Sequence, residues 1–135
     1  MSILNKKTVL IFGTFDIFHK GHKNFIKQAR SHGDYLIAVI ARDKTAREIK
    51  GAYPMNNEKQ RLNTLLESGL VDKATLGSLT DKYSAIRKYK PAVICLGYDQ
   101  THFIKQLYRK DWQGIVIRLK PYKPHIYKSS LLKNS

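Results

Sequence analysis

The sequence predicts an α/β fold, a doubly wound, Rossmann-like parallel sheet with helices on both faces. Three observations lead there. The runs at Thr8–Phe12, Tyr35–Ala41, Ala92–Leu96 and Ile115–Leu119 are continuously apolar rather than alternating, the pattern of strands buried on both faces. Stretches between them carry apolar residues at helical spacing. Strand and helix patterns then alternate along the chain, as right-handed βαβ crossovers require. With 135 residues, the chain has room for one core, and residues 1–135 are read as a single domain.

Each element has its own justification. The first strand, Thr8–Phe12, ends at Gly13, and a helix from Lys23 to Ser31 follows, with Phe25, Ile26 and Ala29 on one stripe and Ser31-His-Gly33 as its stop. The second strand, Tyr35–Ala41, runs into Arg42-Asp-Lys-Thr45. Residues Lys50 to Asn57, with Gly51 and Pro54, are expected to form a mobile loop. Leu62, Leu65 and Leu66 predict a helix from Glu58 to Ser68 that stops at Gly69. A short strand is read at Lys73–Leu76. Asp81 to Tyr89 reads as a helix closed by Lys90-Pro91, because the residue before proline avoids the α region. Ala92–Leu96 is the next strand, and Thr101 to Arg109 is a helix with Phe103, Ile104 and Leu107 on its apolar side. The strand Ile115–Leu119 completes the sheet.

Charge and cysteine content narrow the function classes. Twenty-five Lys and Arg face ten acidic residues, a net charge of +15, which points to polyanionic ligands, nucleic acid or an anionic surface. The basic residues are scattered from Lys6-Lys7 to Lys133 rather than gathered in a block. They are therefore read as a solvated surface and not as a nucleic-acid footprint. Cys95, the sole cysteine, lies in an apolar run, so no internal disulfide forms and a reducing cytoplasm is expected. No apolar stretch approaches a membrane span, and the start of the chain is not read as a leader.

The chemistry concentrates in Gly13-Thr14-Phe15-Asp16-Ile-Phe-His19-Lys-Gly21-His22, directly after the first strand. Gly13 lets the backbone come close to an anion, and a helix starting near Lys20 to His22 would offer unpaired N–H groups. His19 and His22, three apart, share one face of the first helical turn and can donate to phosphoryl oxygens as charge builds. Asp16 either belongs to this binding turn or caps it locally. In doubly wound sheets ligands sit beyond the carboxyl ends of the strands, so this segment, Arg42–Thr45 and Gly97–Thr101 should converge. Gly97 would then let the backbone approach a base, and Asp99 would either bind the nucleotide or cap the next helix.

These residues resemble the H-x-G-H signature of the nucleotidyltransferase superfamily, in its cytidylyltransferase-like branch, over residues 8 to 110. The resemblance implies transfer of a nucleoside monophosphate from a nucleoside triphosphate to a phosphorylated acceptor, with pyrophosphate release. It assigns His19 and His22 to the transition state. Lys44, at a strand's carboxyl end, matches the family's phosphate-binding lysine, and Arg61 matches an arginine that reaches the substrate's anionic group. Gly13, Thr14, Phe15 and Gly21 become the phosphate cradle. Leu96-Gly-Tyr-Asp-Gln100 resembles the archaeal-type FAD synthetases more than the glycerol-phosphate cytidylyltransferases, so AMP transfer from ATP to FMN is the first reading, with Tyr98 available to the flavin. CTP with a polyol phosphate is the second. A catalytically silent basic nucleotide- or RNA-binding module is the alternative of another class. The late cytidylyltransferase signature is echoed only by Ser129-Ser130, which could cap a short helix over the phosphates. Mg²⁺ is expected to arrive with the triphosphate rather than in a protein metal site, and the family implies a homodimer.

Overall fold

The structure, a computed structural model, describes residues 6–17, 19–81, 83–97, 100 and 112–121. Its elements in order are β1 (Thr8–Gly13), α1 (Lys20–Arg30), β2 (Tyr35–Ile40), α2 (Asp43–Lys50), α3 (Glu58–Ser68), β3 (Lys73–Leu76), α4 (Ser84–Tyr89), β4 (Val93–Leu96) and β5 (Ile115–Arg118). The strands form one sheet in the order β3-β2-β1-β4-β5, and every pairing is parallel. The chain moves outward from β1 through β2 to β3, then returns to the other side for β4 and β5. The order therefore reverses between β1 and β4, which opens a crevice at their carboxyl ends.

The continuous apolar runs are explained by two cores, one on each face. Val9, Ile11, Leu36, Ala38, Ile40, Val93 and Cys95 meet Ile26 and Ala29 of α1 and Leu65 of α3. Their strand neighbours Leu10, Ile37, Val39, Ile94 and Leu96 point the other way, onto Ala85 and Ile86 of α4 and onto Trp112. Successive strand residues feed opposite cores, so both must be apolar.

The structure differs from the sequence reading in a few elements. Helix α2 was not expected, since Asp43–Lys50 buries only Ala46 and shows no apolar stripe. It ends at Gly51, whose φ of 82° closes the helix in the left-handed region. Helix α1 starts at Lys20, within the expected Lys20 to His22 and ahead of the stretch from Lys23 that carries the apolar stripe, because His19 caps it. Helix α4 starts at Ser84 rather than Asp81, whose carboxylate accepts from the Tyr83 N–H. The segment expected as a mobile loop is tied down at Met55 and Asn56, as described below, and Asn57 with Gln60 forms the capping box of α3. The predicted helix at Thr101–Arg109 lies outside the described residues.

Candidate active site

The turn after β1 is built around close packing. A Cβ on Gly13 would sit 2.8 Å from the Phe15 ring, so only glycine lets that ring fold back and become buried. Phe15 and Ile17 adopt φ values of 52° and 49°. Such backbone costs roughly 1–3 kcal/mol per residue and persists only where the surroundings impose it. Asp16 supplies part of that constraint. It is 1 % exposed, and its carboxylate accepts from Met55 N at 2.7 Å, Asn56 N at 3.0 Å and the Asn56 side chain at 3.2 Å. Asp16 is thus an anchor between the motif turn and the 51–57 segment.

Arg61 is the second anchor, and it too is 1 % exposed. From α3 its guanidinium donates to Asn56 O (3.0 Å), Thr14 O (2.8 Å) and Ala41 O (2.8 Å), and it pairs with the Asp43 carboxylate at 2.8 Å. One side chain therefore joins the motif turn, the end of β2, the first turn of α2 and the loop before α3. The resemblance implies that Arg61 reaches the substrate's anion; in this structure four of its five N–H donors are bonded to protein groups. Glu58 reinforces the same corner through Arg42 Nε and Asp43 N, both at 2.9 Å.

The two histidines cap α1 and each other. His19 Nδ1 accepts from Gly21 N at 3.0 Å, while His22 Nδ1 receives the longer 3.4 Å donation from His19 N. Their rings stack with centroids 3.8 Å apart, and the Phe15 ring meets His22 edge-on at 5.5 Å. Because each Nδ1 accepts, each neutral ring carries its proton on Nε2 and is a donor there. Burial holds His19 below its ordinary value. His22 is lowered to about 3, first by burial and then by His19 and Lys50, with Asp16 opposing. Neutral imidazoles stacked this closely avoid like-charge repulsion.

Lys50 was not singled out by the sequence reading, yet it acts electrostatically on His22 from the last turn of α2. Lys44 lies exposed in the first turn of that helix. A lysine in a basic chain gives no local signal, and only α2 carries Lys50 back towards the motif.

Across the crevice, Gln100 bridges the two central strands. Its Oε1 accepts from Gly97 N and its Nε2 donates to Phe12 O, both at 2.8 Å. Arg118, from the end of β5, donates to Gly97 O at 2.7 Å and to Gln100 O at 2.9 Å. Both polar groups of the Gly97 backbone are thereby engaged within the protein. Neither Gln100 nor Arg118 was expected from the sequence. Tyr98, Asp99, Ser129 and Ser130 lie outside the described residues.

The profile of the cytidylyltransferase-like family matches residues 10–126. The chain belongs to that family. Its members are nucleotidyltransferases, and this chain is a nucleotidyltransferase enzyme. The cytidylyltransferase-like chain is 34 % identical to an FAD synthase of Thermococcus sibiricus over 140 residues, covering 100 % of this chain and 92 % of that protein. A lipopolysaccharide core biosynthesis protein from Thermoplasma volcanium superposes with a TM-score of 0.81 at 35 % identity, covering 87 % of this chain and 99 % of that one. Pantoate-beta-alanine ligase from Francisella tularensis, solved with an ATP analogue and beta-alanine, shares the fold at a TM-score of 0.65 and 22 % identity, over 99 % of this chain and 67 % of its own. No helix among the described residues is long and apolar enough to cross a membrane.

Proposed function

We infer that this cytidylyltransferase-like enzyme moves AMP from ATP to the phosphate of FMN and releases pyrophosphate. The observation that carries the reading is the 34 % identity to an FAD synthase over the whole chain, joined to a motif turn suited to a triphosphate. An FMN phosphate oxygen attacks the α-phosphorus, the bond from that phosphorus to the bridging oxygen breaks, and the electron pair leaves on pyrophosphate. Catalysis of such a transfer is largely alignment and charge neutralisation.

In this reading the backbone of Gly13, Thr14 and Phe15 cradles the phosphates at the start of α1. His19 and His22 donate from Nε2 to oxygens that gain charge in the transition state. Lys50 and Lys44 add positive charge from either end of α2, while Asp16 and Arg61 hold the turn in shape. Mg²⁺, when bound with the triphosphate, would supply neutralisation of β- and γ-phosphate charge. The ion would arrive with the triphosphate, bound through phosphate oxygens and water, as Mg²⁺ prefers. A reducing cytoplasm suits the buried thiol of Cys95, which burial raises to about 11.

The test is FAD formation from ATP and FMN, followed by pyrophosphate release. His19→Ala and His22→Ala should each lower kcat about a hundredfold or more with far smaller changes in ATP affinity. Turnover of CTP and glycerol phosphate, with none of FMN, would replace this reading.

A further inference from the structure

We propose that the segment from Ile49 to Met55 is the platform on which the planar ring of the acceptor lies, an inference that rests on the acceptor being a flavin phosphate. Among the described residues six large apolar side chains are exposed, and three of them, Ile49, Tyr53 and Met55 at 48 %, 59 % and 68 %, fall in this one segment. Exposed apolar side chains scattered singly need no explanation; three within seven residues beside a reaction centre do.

The far end of the segment is fixed to that centre, because Met55 and, next to it, Asn56 donate their N–H groups to Asp16 of the motif turn at 2.7 and 3.0 Å. The segment is therefore a rim of the site. Arg47 lies over the Tyr53 ring at 5.1 Å, giving an aromatic face with cations beside it. An acceptor whose phosphate is drawn to Lys50 and the histidines must extend its remaining atoms along a neighbouring surface. A polyol phosphate has no apolar area with which to cover Tyr53 and Met55. A flavin ring does, since it is flat, stacks on an aromatic or thioether side chain and keeps its polar edge for cations.

The test compares the intact chain with Tyr53→Ala/Met55→Ala, exposed positions whose truncation leaves no core cavity. The double variant should raise the KM for FMN about tenfold or more, the range expected when a stacking surface is removed, with the KM for ATP changed less than about twofold. Tyr53→Phe with Met55 intact should behave as the parent. Riboflavin, which has the ring and no phosphate, should lose fluorescence on binding the parent and keep it with the double variant. Unchanged FMN KM in a double variant that still makes FAD would overturn the platform and leave the reaction standing. Unchanged FMN KM together with loss of self-association would give the surface to a second copy of the chain and also overturn the proposal. No FAD formation by the parent would overturn both.

Discussion

The two banks of the crevice are built by opposite means. On the β1–β2 side the connections are ionic and buried: Asp16 and Arg61 are each 1 % exposed, and together they bind the motif turn, Ala41, Asp43 and Asn56. On the β4–β5 side a neutral amide, Gln100, joins Phe12 to Gly97, and the charged partner, Arg118, stays in contact with water. A buried ion must keep every partner, because losing one strands a charge away from solvent. An amide or an exposed guanidinium can trade a lost partner for water. The first bank should therefore fail as a unit, and the second should fail by degrees.

The largest contrast comes from Arg61→Met, which leaves Asp43 without its partner and three carbonyls without donors. We expect a loss of about 3–5 kcal/mol in denaturant unfolding, because three backbone carbonyls lose their donors at roughly 1–3 kcal/mol each, while Asp43, about a third exposed, can turn to water. A loss below about 1 kcal/mol would mean the corner is open to water and the contrast between the banks is false.

Acid sharpens the same contrast. His22 is lowered from 6.5 to about 3 in the folded protein, so between those values the unfolded chain binds a proton that the folded chain refuses. Stability then falls as pH drops through that window, by at most about 1.4 kcal/mol per pH unit, and above 6.5 the residue contributes no slope. Thermal unfolding of His22→Gln should show a shallower decline from pH 6.5 to 4.5 than the parent. Equal slopes would mean that the ring gains its proton without penalty.

The milder bank gives the smaller numbers. Gln100→Ala removes two hydrogen bonds and should cost roughly 1–2 kcal/mol, and Arg118→Met should cost under about 1 kcal/mol at its exposed position. A cost for Arg118→Met equal to that for Arg61→Met would erase the distinction.

Much of the frame was legible because it depends on local pattern. Buried parallel strands must be apolar throughout, so the four long runs were visible within about one residue at each end, and Lys73–Leu76 and Glu58–Ser68 were read at their observed limits. Helix α2 escaped because a short helix with one buried alanine has no period to detect. The local part of the candidate site, the turn and helix start from Gly13 to His22, was legible because it is contiguous, and the structure does bring His19 and His22 together. The site's long-range bonds were not legible: Asp16 meets Asn56 across 40 residues, Arg61 meets Thr14 across 47, and Gln100 meets Phe12 across 88. Nothing in the spacing of an arginine tells whether its guanidinium faces a substrate or three backbone carbonyls.

The reciprocal cap of α1 also makes the two imidazoles part of the helix that carries them. Helix ends fray more readily than helix centres, and here the first amide to come loose is bonded to His19 Nδ1. Deuterium uptake at the Gly21 amide thus reports how long the His19 ring stays on its cap. Warming should release that amide, and silence the enzyme, before the sheet melts.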